Sequence, residues 1–307
     1  MRNLEKEIKE TEQSLAQERT LQGEMEKFSN YDGQDRVVPI AEIIEEQKLL
    51  RKKEVIIKSK IPTLDETVGG FYPGQLNIIS GPTGQGKTTF SKTLTANFSK
   101  DGLHSIWFSY EMPPLEFVEN FPGTPYFFLP RELTSGSLEW IEKRIAESIR
   151  KYQTKIVFID HLHFLVDMKA LAIARNQSIL IGVLLRHLKQ IALKYDTTIF
   201  LLAHLRKTNI EEAIPTIDDL RDSSFVGQEA DIVMLIWRLI KKPEDGRRRS
   251  KDDPPEWTNE SRLSVVKNRR TGALKTFKIQ YDFRINEFVE QSSFRQGTEL
   301  VVENMLS

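Results

Sequence analysis

The chain contains no cysteine. Its absence excludes disulfides, thiol catalysis and a zinc ribbon. There is no apolar run near the ~20 residues that cross a bilayer. The first residues, MRNLEKEIKETEQ, carry charge with no apolar stretch behind it, so no secretory signal is read there. An intracellular protein with no membrane partner is expected, cytoplasmic or in whichever compartment holds its nucleic acid. Histidine is scarce, and the five present (His104, His161, His163, His187, His204) show no metal-ligand spacing. A metal held by protein groups alone is not expected, whereas one shared with a bound nucleotide remains open. Net charge is also lacking: 44 basic residues balance 44 acidic ones, so the whole-molecule field does not draw in nucleic acid. Any phosphate contact must come from local loops or from a pore built by several copies.

Apolar residues make up 39% of the 307, enough for a real core. Residues 1–30 are dense in Glu, Lys and Gln. Leu4, Ile8, Thr11, Leu15 and Met25 fall near a seven-residue spacing, which reads as a thin-striped helix, either a short coiled coil or a solvated helix. A turn cluster, Asn30–Asp35, precedes a linker helix within 31–56, where Pro39 lies near the first turn and Ile40, Ile43, Ile44 and Leu50 share one face. From residue 57 to 290 the pattern changes. Continuous apolar strands are expected at 76–80, 105–109, 155–160, 198–203 and 231–237, alternating with helices at 91–99, 138–151 and 177–195. This predicts an α/β domain with a mainly parallel central sheet covered on both faces. Residues 262–288 read as further strands, with turns at Thr271-Gly272 and Arg284-Ile285-Asn286. The polar stretch 241–261 reads as an exposed loop, and 291–307 as a C-terminal tail.

The strand at 76–80 runs into Gly81-Pro82-Thr83-Gly84-Gln85-Gly86-Lys87-Thr88, a full match to G-x-x-x-x-G-K-[ST], with Thr89 next. Glycines let the loop wrap closely around phosphates, and its amides and the following helix N-terminus face the anion. Lys87 is expected at the β- and γ-phosphates of ATP and Thr88 on Mg²⁺. A lone aspartate at a strand end is usually only a turn residue. Downstream of this loop, Asp160 becomes the expected second support for Mg²⁺. Glu111 closes the next strand segment and is the candidate base for the attacking water.

With these residues in view, the sequence resembles the replicative hexameric helicases, the DnaB motor domain with its phage and mitochondrial relatives, over 58–289. Phe108-Ser109-Tyr110-Glu111-Met112-Pro113 looks like the segment carrying the family's catalytic Glu. Asp219-Leu220-Arg221-Asp222-Ser223-Ser224-Phe225-Val226-Gly227-Gln228-Glu229-Ala230-Asp231 resembles D-L-R-x-S-G-x-x-x-Q-x-A-D, with Ser224 where the pattern has Gly. Lys267-Asn268-Arg269-Arg270-Thr271-Gly272 resembles the K-x-R-x-T-G element of phage primase-helicases. The resemblance implies a RecA-like ATPase fold and a hexameric ring on single-stranded DNA, moving 5′→3′. It implies that Lys267 and Arg269 reach the neighbour's γ-phosphate, and that His204 senses the nucleotide state. It further implies that Arg238 and Tyr281 flank the base. DNA contacts are expected from Lys169 and Arg175 on one channel loop and from Arg206, Lys207 and Asn209 on another, where sixfold repetition makes a few charges a basic lining. The 56 residues before the motor are too few for a primase or a collar domain, so a stripped-down motor meeting a separate primase or loader is expected. Two other classes stay open: a RecA-like recombination or loading ATPase without processive unwinding, and a regulatory ATPase without a DNA role.

Overall fold

The computed structural model describes 15–16, 19–20, 22–23, 25, 29, 31–33, 36–51, 55–110, 112–119, 121–133, 137–160, 177–204, 215–216, 219, 223–241 and 256–290. The chain divides into two units, Met1–Glu54 and Val55–Ser307. In the first, helix α1 (Ile40–Arg51) starts just after Pro39, whose carbonyl accepts from the Glu42 amide at 3.0 Å. Ile40, Ile43, Ile44 and Leu49 are all exposed on it. Most of the expected first helix, and the side chain of Leu50, lie outside the described residues.

The second unit is built on one eight-stranded sheet. Its strands are β1 (Leu76–Gly81), β2 (Ser105–Ser109), β3 (Ile156–Asp160), β4 (Thr198–His204), β5 (Ile232–Ile240), β6 (Trp257–Asn268), β7 (Lys275–Asp282) and β8 (Glu287–Glu290), in the order β2-β3-β4-β1-β5-β6-β7-β8. The first five are parallel, and β6 to β8 extend them as an antiparallel meander. The expected turns appear in that meander, with Gly272 at φ 71° and Asn286 at φ 55°. The loop expected across 241–261 is shorter than read, because Trp257–Ser261 pair with β5 and β7. Their polar character goes with partial exposure at the start of β6, where residues 257–260 are only half-buried.

Alternation along each strand divides the core in two. On one face Leu76, Ile78, Val157, Ile159, Ile199 and Leu201 pack against α5 (Leu138–Tyr152) and α6 (Gln177–Lys194). On the other, Ile79, Phe158, Phe200 and Leu202 pack against α2 (Pro62–Val68) and α3 (Lys87–Lys100). Helix α4 (Pro114–Val118) joins that second layer through the buried Phe117. Trp107 and Phe158 stack at 4.4 Å, and Phe158 and Phe200 at 4.9 Å, so an aromatic ladder locks three neighbouring strands in register. Helix α7 (Ser223–Glu229) lies on α6, with Phe225 seated over Gly182. Ser224 is part of this helix, a conformation open to any residue.

Candidate functional site

The phosphate loop leaves the carboxyl end of β1, between His204 at the end of β4 and Ile236 to Arg238 of β5. Ser80 Oγ donates to Ala203 O at 2.8 Å, pinning β1 to β4 immediately before the loop. The loop glycines answer to contacts. A Cβ on Gly81 would run into the Ile236 carbonyl, and one on Gly86, at φ 97°, would lie 3.2 Å from the Phe288 ring. Gln85 is buried, and its Oε1 accepts from the Arg238 amide at 3.0 Å, fastening the loop to β5.

Lys87 opens α3, and its Nζ donates to Gly81 O at 3.0 Å and Pro82 O at 2.9 Å, which keeps the ammonium within the loop. Thr88 Oγ1 donates to Asp160 Oδ2 at 3.2 Å. Thr89 completes the first helical turn, and its carbonyl accepts from Thr93 Oγ1 at 3.3 Å. Asp160 is buried at the end of β3. His204 Nδ1 lies 3.5 Å from Thr83 Oγ1, so the end of β4 touches the loop through a side chain. The expected loop residues, Asp160 and His204 thus converge on one end of the sheet.

Two residues joined to this end carry no motif. Lys92 lies one helical turn beyond Thr88 and is buried. Its Nζ donates to Glu119 O at 3.0 Å and sits 4.9 Å from the rings of Phe117 and Phe121. Burial pushes its pKa below the ordinary lysine value, against the pull of Asp160 and then Glu119. The four-residue spacing from Thr88 was the one available signal for it. Phe288 on β8 packs on Phe90 at 6.1 Å, and its amide donates to Thr93 Oγ1 at 3.0 Å, laying β8 along α3 beside Gly86. Nothing in a lone aromatic near the C-terminus announces that contact.

Arg238 and Tyr281 both reach this region, on strands separated by β6. The Arg238 guanidinium donates to Thr258 O at 2.9 and 3.2 Å and lies 5.9 Å from the Trp257 ring. Tyr281 packs on Phe288 at 5.3 Å and donates to Asn286 Oδ1 at 3.3 Å, and burial raises its pKa.

Lys267 and Arg269 lie elsewhere. The Arg269 amide donates to Asp231 O at 2.8 Å, and Asp231 Oδ2 accepts from the Leu76 amide at 2.8 Å. Leu76 begins β1 and Gly81 ends it. At ~3.3 Å per residue, roughly 16 Å of strand separates Arg269's anchor from the phosphate loop of the same chain. Glu111, Lys169, Arg175, Arg206, Lys207 and Asn209 fall outside the described residues. Among those described, no group of three or more His, Asp or Glu side chains is placed to hold a metal by itself. No described helix is long and apolar enough to cross a membrane.

These groups suit a nucleoside triphosphate with Mg²⁺. The loop is closed to any Cβ at Gly81, one ammonium lies within it, and a hydroxyl and a buried carboxylate meet beside it. That is the donor set of a phosphate cradle with an oxygen-ligated hard cation.

A family profile described as "DnaB-like helicase C terminal domain" matches residues 57–122 and 128–290. A "Probable replicative DNA helicase" from Trieres chinensis is 24% identical over 301 residues, covering 86% of this chain and 64% of the relative. A "Replicative DNA helicase DnaB" from Mycoplasma genitalium is 26% identical over 298 residues, covering 82% of this chain and 61% of the relative. The one from Leifsonia xyli is 22% identical, covering 75% and 54%. The chain therefore spans between half and two thirds of the length of these relatives. Among solved structures, one titled as an ATPase domain aligns with a TM-score of 0.66 at 20% identity, over 83% of this chain and 99% of that one. A structure titled as a DnaB-like replicative helicase and its interactions with primase aligns with a TM-score of 0.64 at 20% identity, over 89% and 71%. The mainly parallel sheet is thus the RecA-like ATPase fold expected from the sequence, and the chain belongs to the DnaB-like helicase C-terminal domain family.

Proposed function

We propose that this chain is an ATP-driven DNA helicase of replication that translocates 5′→3′ along single-stranded DNA as a homo-oligomeric ring of six, with 57–290 as its motor. Family membership supports the replicative role. The observation that carries the ring is the separation of the two halves of the chemistry. Lys87, Thr88 and Asp160 gather at one end of the sheet, and Lys267 and Arg269 sit at the other. A head-to-tail arrangement brings one copy's far end to the next copy's loop.

Bound ATP with Mg²⁺ supplies the phosphoryl transfer that drives movement. The chain's residues divide the remaining work. Lys87 and the loop amides bind phosphate, while Thr88 and Asp160 hold the metal. Glu111 orients and deprotonates the attacking water, and Arg238 and Tyr281 flank the base. Arg269 with Lys267 neutralises developing charge on the neighbour's phosphate. His204 touches Thr83, so a change at the loop reaches the segment that follows β4 and carries Arg206, Lys207 and Asn209. With Lys169 and Arg175 these line the channel and grip the DNA backbone. A separate primase or loader completes the replication partnership.

The test is ATPase activity with and without single-stranded DNA, alongside unwinding of a forked duplex. Stimulated hydrolysis with strand separation supports the proposal. Stimulation without separation points to a loading or recombination ATPase. Hydrolysis indifferent to DNA rejects a DNA motor.

A further inference from the structure

Asp231 holds together parts of the fold that are far apart in sequence. It immediately precedes β5 and is 7% exposed. Its Oδ2 accepts from the Leu76 amide at 2.8 Å and from Lys189 Nζ at 2.6 Å. Its Oδ1 lies 3.4 Å from Arg269 Nη1, and its backbone carbonyl accepts from the Arg269 amide. Lys189, on α6, also donates to Gly74 O at 2.7 Å. One carboxylate therefore joins the first residue of β1, a helix on one face of the sheet, and the guanidinium.

The rest of the cluster is cationic. Arg269 Nη2 donates to Gln228 O, and Lys267 Nζ donates to Gly227 O and Ala230 O at the end of α7. Burial lowers the Lys267 pKa, repulsion from Arg269 lowers it further, and Asp231 and Glu229 oppose both. Glu229 is itself engaged by Arg186 at 3.0 Å, which leaves Asp231, among the described residues, as the carboxylate that binds Arg269 directly. The Arg269 side chain is held on its inner side and stays 48% exposed, so it remains available outward.

We propose that Asp231, anchored by Lys189, is a positioning residue that aims Arg269 at the nucleotide site of the adjacent subunit. This rests on reading Arg269 as a residue acting in trans. A carboxylate fixed to β1 and α6 holds the guanidinium at one angle, against repulsion from the neighbouring Lys267. Geometry of this kind governs rate rather than affinity, and a misplacement near 1 Å costs about 10²-fold.

The experiment uses the full chain. Asp231→Asn keeps an oxygen for the Leu76 amide and removes the charge that holds Arg269. Lys189→Met loosens the anchor without touching Asp231. Both are expected to lower kcat, the first by about 10²-fold, with KM for ATP unchanged. Complementation then separates positioning from a general structural effect. Asp231→Asn mixed with Lys87→Ala regains activity above either alone, because an intact phosphate loop meets an intact finger at some interfaces. Mixed with Arg269→Ala it gains nothing, because both carry the defect on the same side. Rescue by Arg269→Ala instead, or unchanged kcat in both single variants, overturns the proposal. The control pair is Arg269→Ala with Lys87→Ala. If that pair complements and Asp231→Asn with Lys87→Ala does not, the positioning role alone fails. If Arg269→Ala is fully active by itself, the trans reading fails and takes the proposal with it.

Discussion

Thr88 Oγ1 donates to Asp160 Oδ2 at 3.2 Å, across β4, from the first turn of α3 to the end of β3. A hydroxyl and a buried carboxylate at this separation are close enough to share one cation, and they hold each other in place without it. Thr88→Ala removes one ligand and frees the other. The Mg²⁺ concentration for half-maximal ATPase is expected to rise about 10- to 100-fold, the usual range for losing a partner of a metal ligand. Chelating Mg²⁺ should abolish turnover in wild type and variant alike. A Mg²⁺ titration of ATPase rate is the check, and coincident curves count against the pair as a metal seat.

Lys87 and Glu111 should separate binding from turnover. Lys87→Ala takes the ammonium from a loop where Gly81 and Pro82 carbonyls hold it, and turnover should be lost. Glu111→Gln keeps the shape and removes the proposed base. A kcat lower by about 10²–10⁴-fold is expected, with nucleotide binding retained. Near-normal turnover in Glu111→Gln, measured beside equilibrium binding of a nucleotide analogue, identifies a different base.

Tyr110, which follows β2, should titrate late. Burial pushes its phenol up to about 12. A raised folded-state value means the neutral phenol stabilises the fold below the ordinary tyrosine value near 10. That contribution fades as pH climbs from about 10 through about 12. Phenolate absorbance of the wild type should contain one component near pH 12 that Tyr110→Phe lacks. If the two titration curves differ only near pH 10, the phenol is solvated.

The sheet was legible in the sequence because its strands are short, continuously apolar and separated by helices, the pattern of burial on both faces. The motif at Gly81–Thr88 marks the carboxyl end of β1, and Asp160 and His204 end the parallel strands β3 and β4 on that same side. Other features had no local signal. Helices α2, α4 and α7 have 7, 5 and 7 residues, too short for a helical period to register. Trp257–Ser261 is polar yet paired, because residues 257–260 stay partly exposed although the backbone is bonded on both sides. The roles of Lys189 and Asp231 depend on contacts 42 and 155 positions apart along the chain. Residue spacing carries no trace of such contacts. The pattern ending at Asp231 marked the residue but gave it no partner.

The N-terminal unit offers the remaining test. Helix α1 exposes Ile40, Ile43, Ile44 and Leu49, the first and last of them at 68% and 70%. Scattered single apolar residues on a surface are ordinary, but Ile40, Ile43 and Ile44 share one side of the helix, with Leu49 about half a turn round from Ile40, so the three isoleucines make the contact face. Burying each is worth roughly 1.5–3 kcal/mol, so even partial docking on an adjacent copy outweighs the cost of ordering a short arm. The unit from Val55 onward carries both core clusters, and Ile57 pairs with Phe71 inside it, so its fold does not need what precedes. Deleting residues 1–54 is therefore expected to leave a folded protein that binds ATP with unchanged affinity but assembles at higher concentration. Its ATPase rate per subunit should fall with dilution sooner than that of the full chain, because an Arg269 acting in trans, as proposed, is lost as copies separate. Sedimentation and ATPase rate across a dilution series measure both quantities on the same samples. If the shortened chain forms rings at the same concentration as the full one, the apolar face of α1 has no part in assembly.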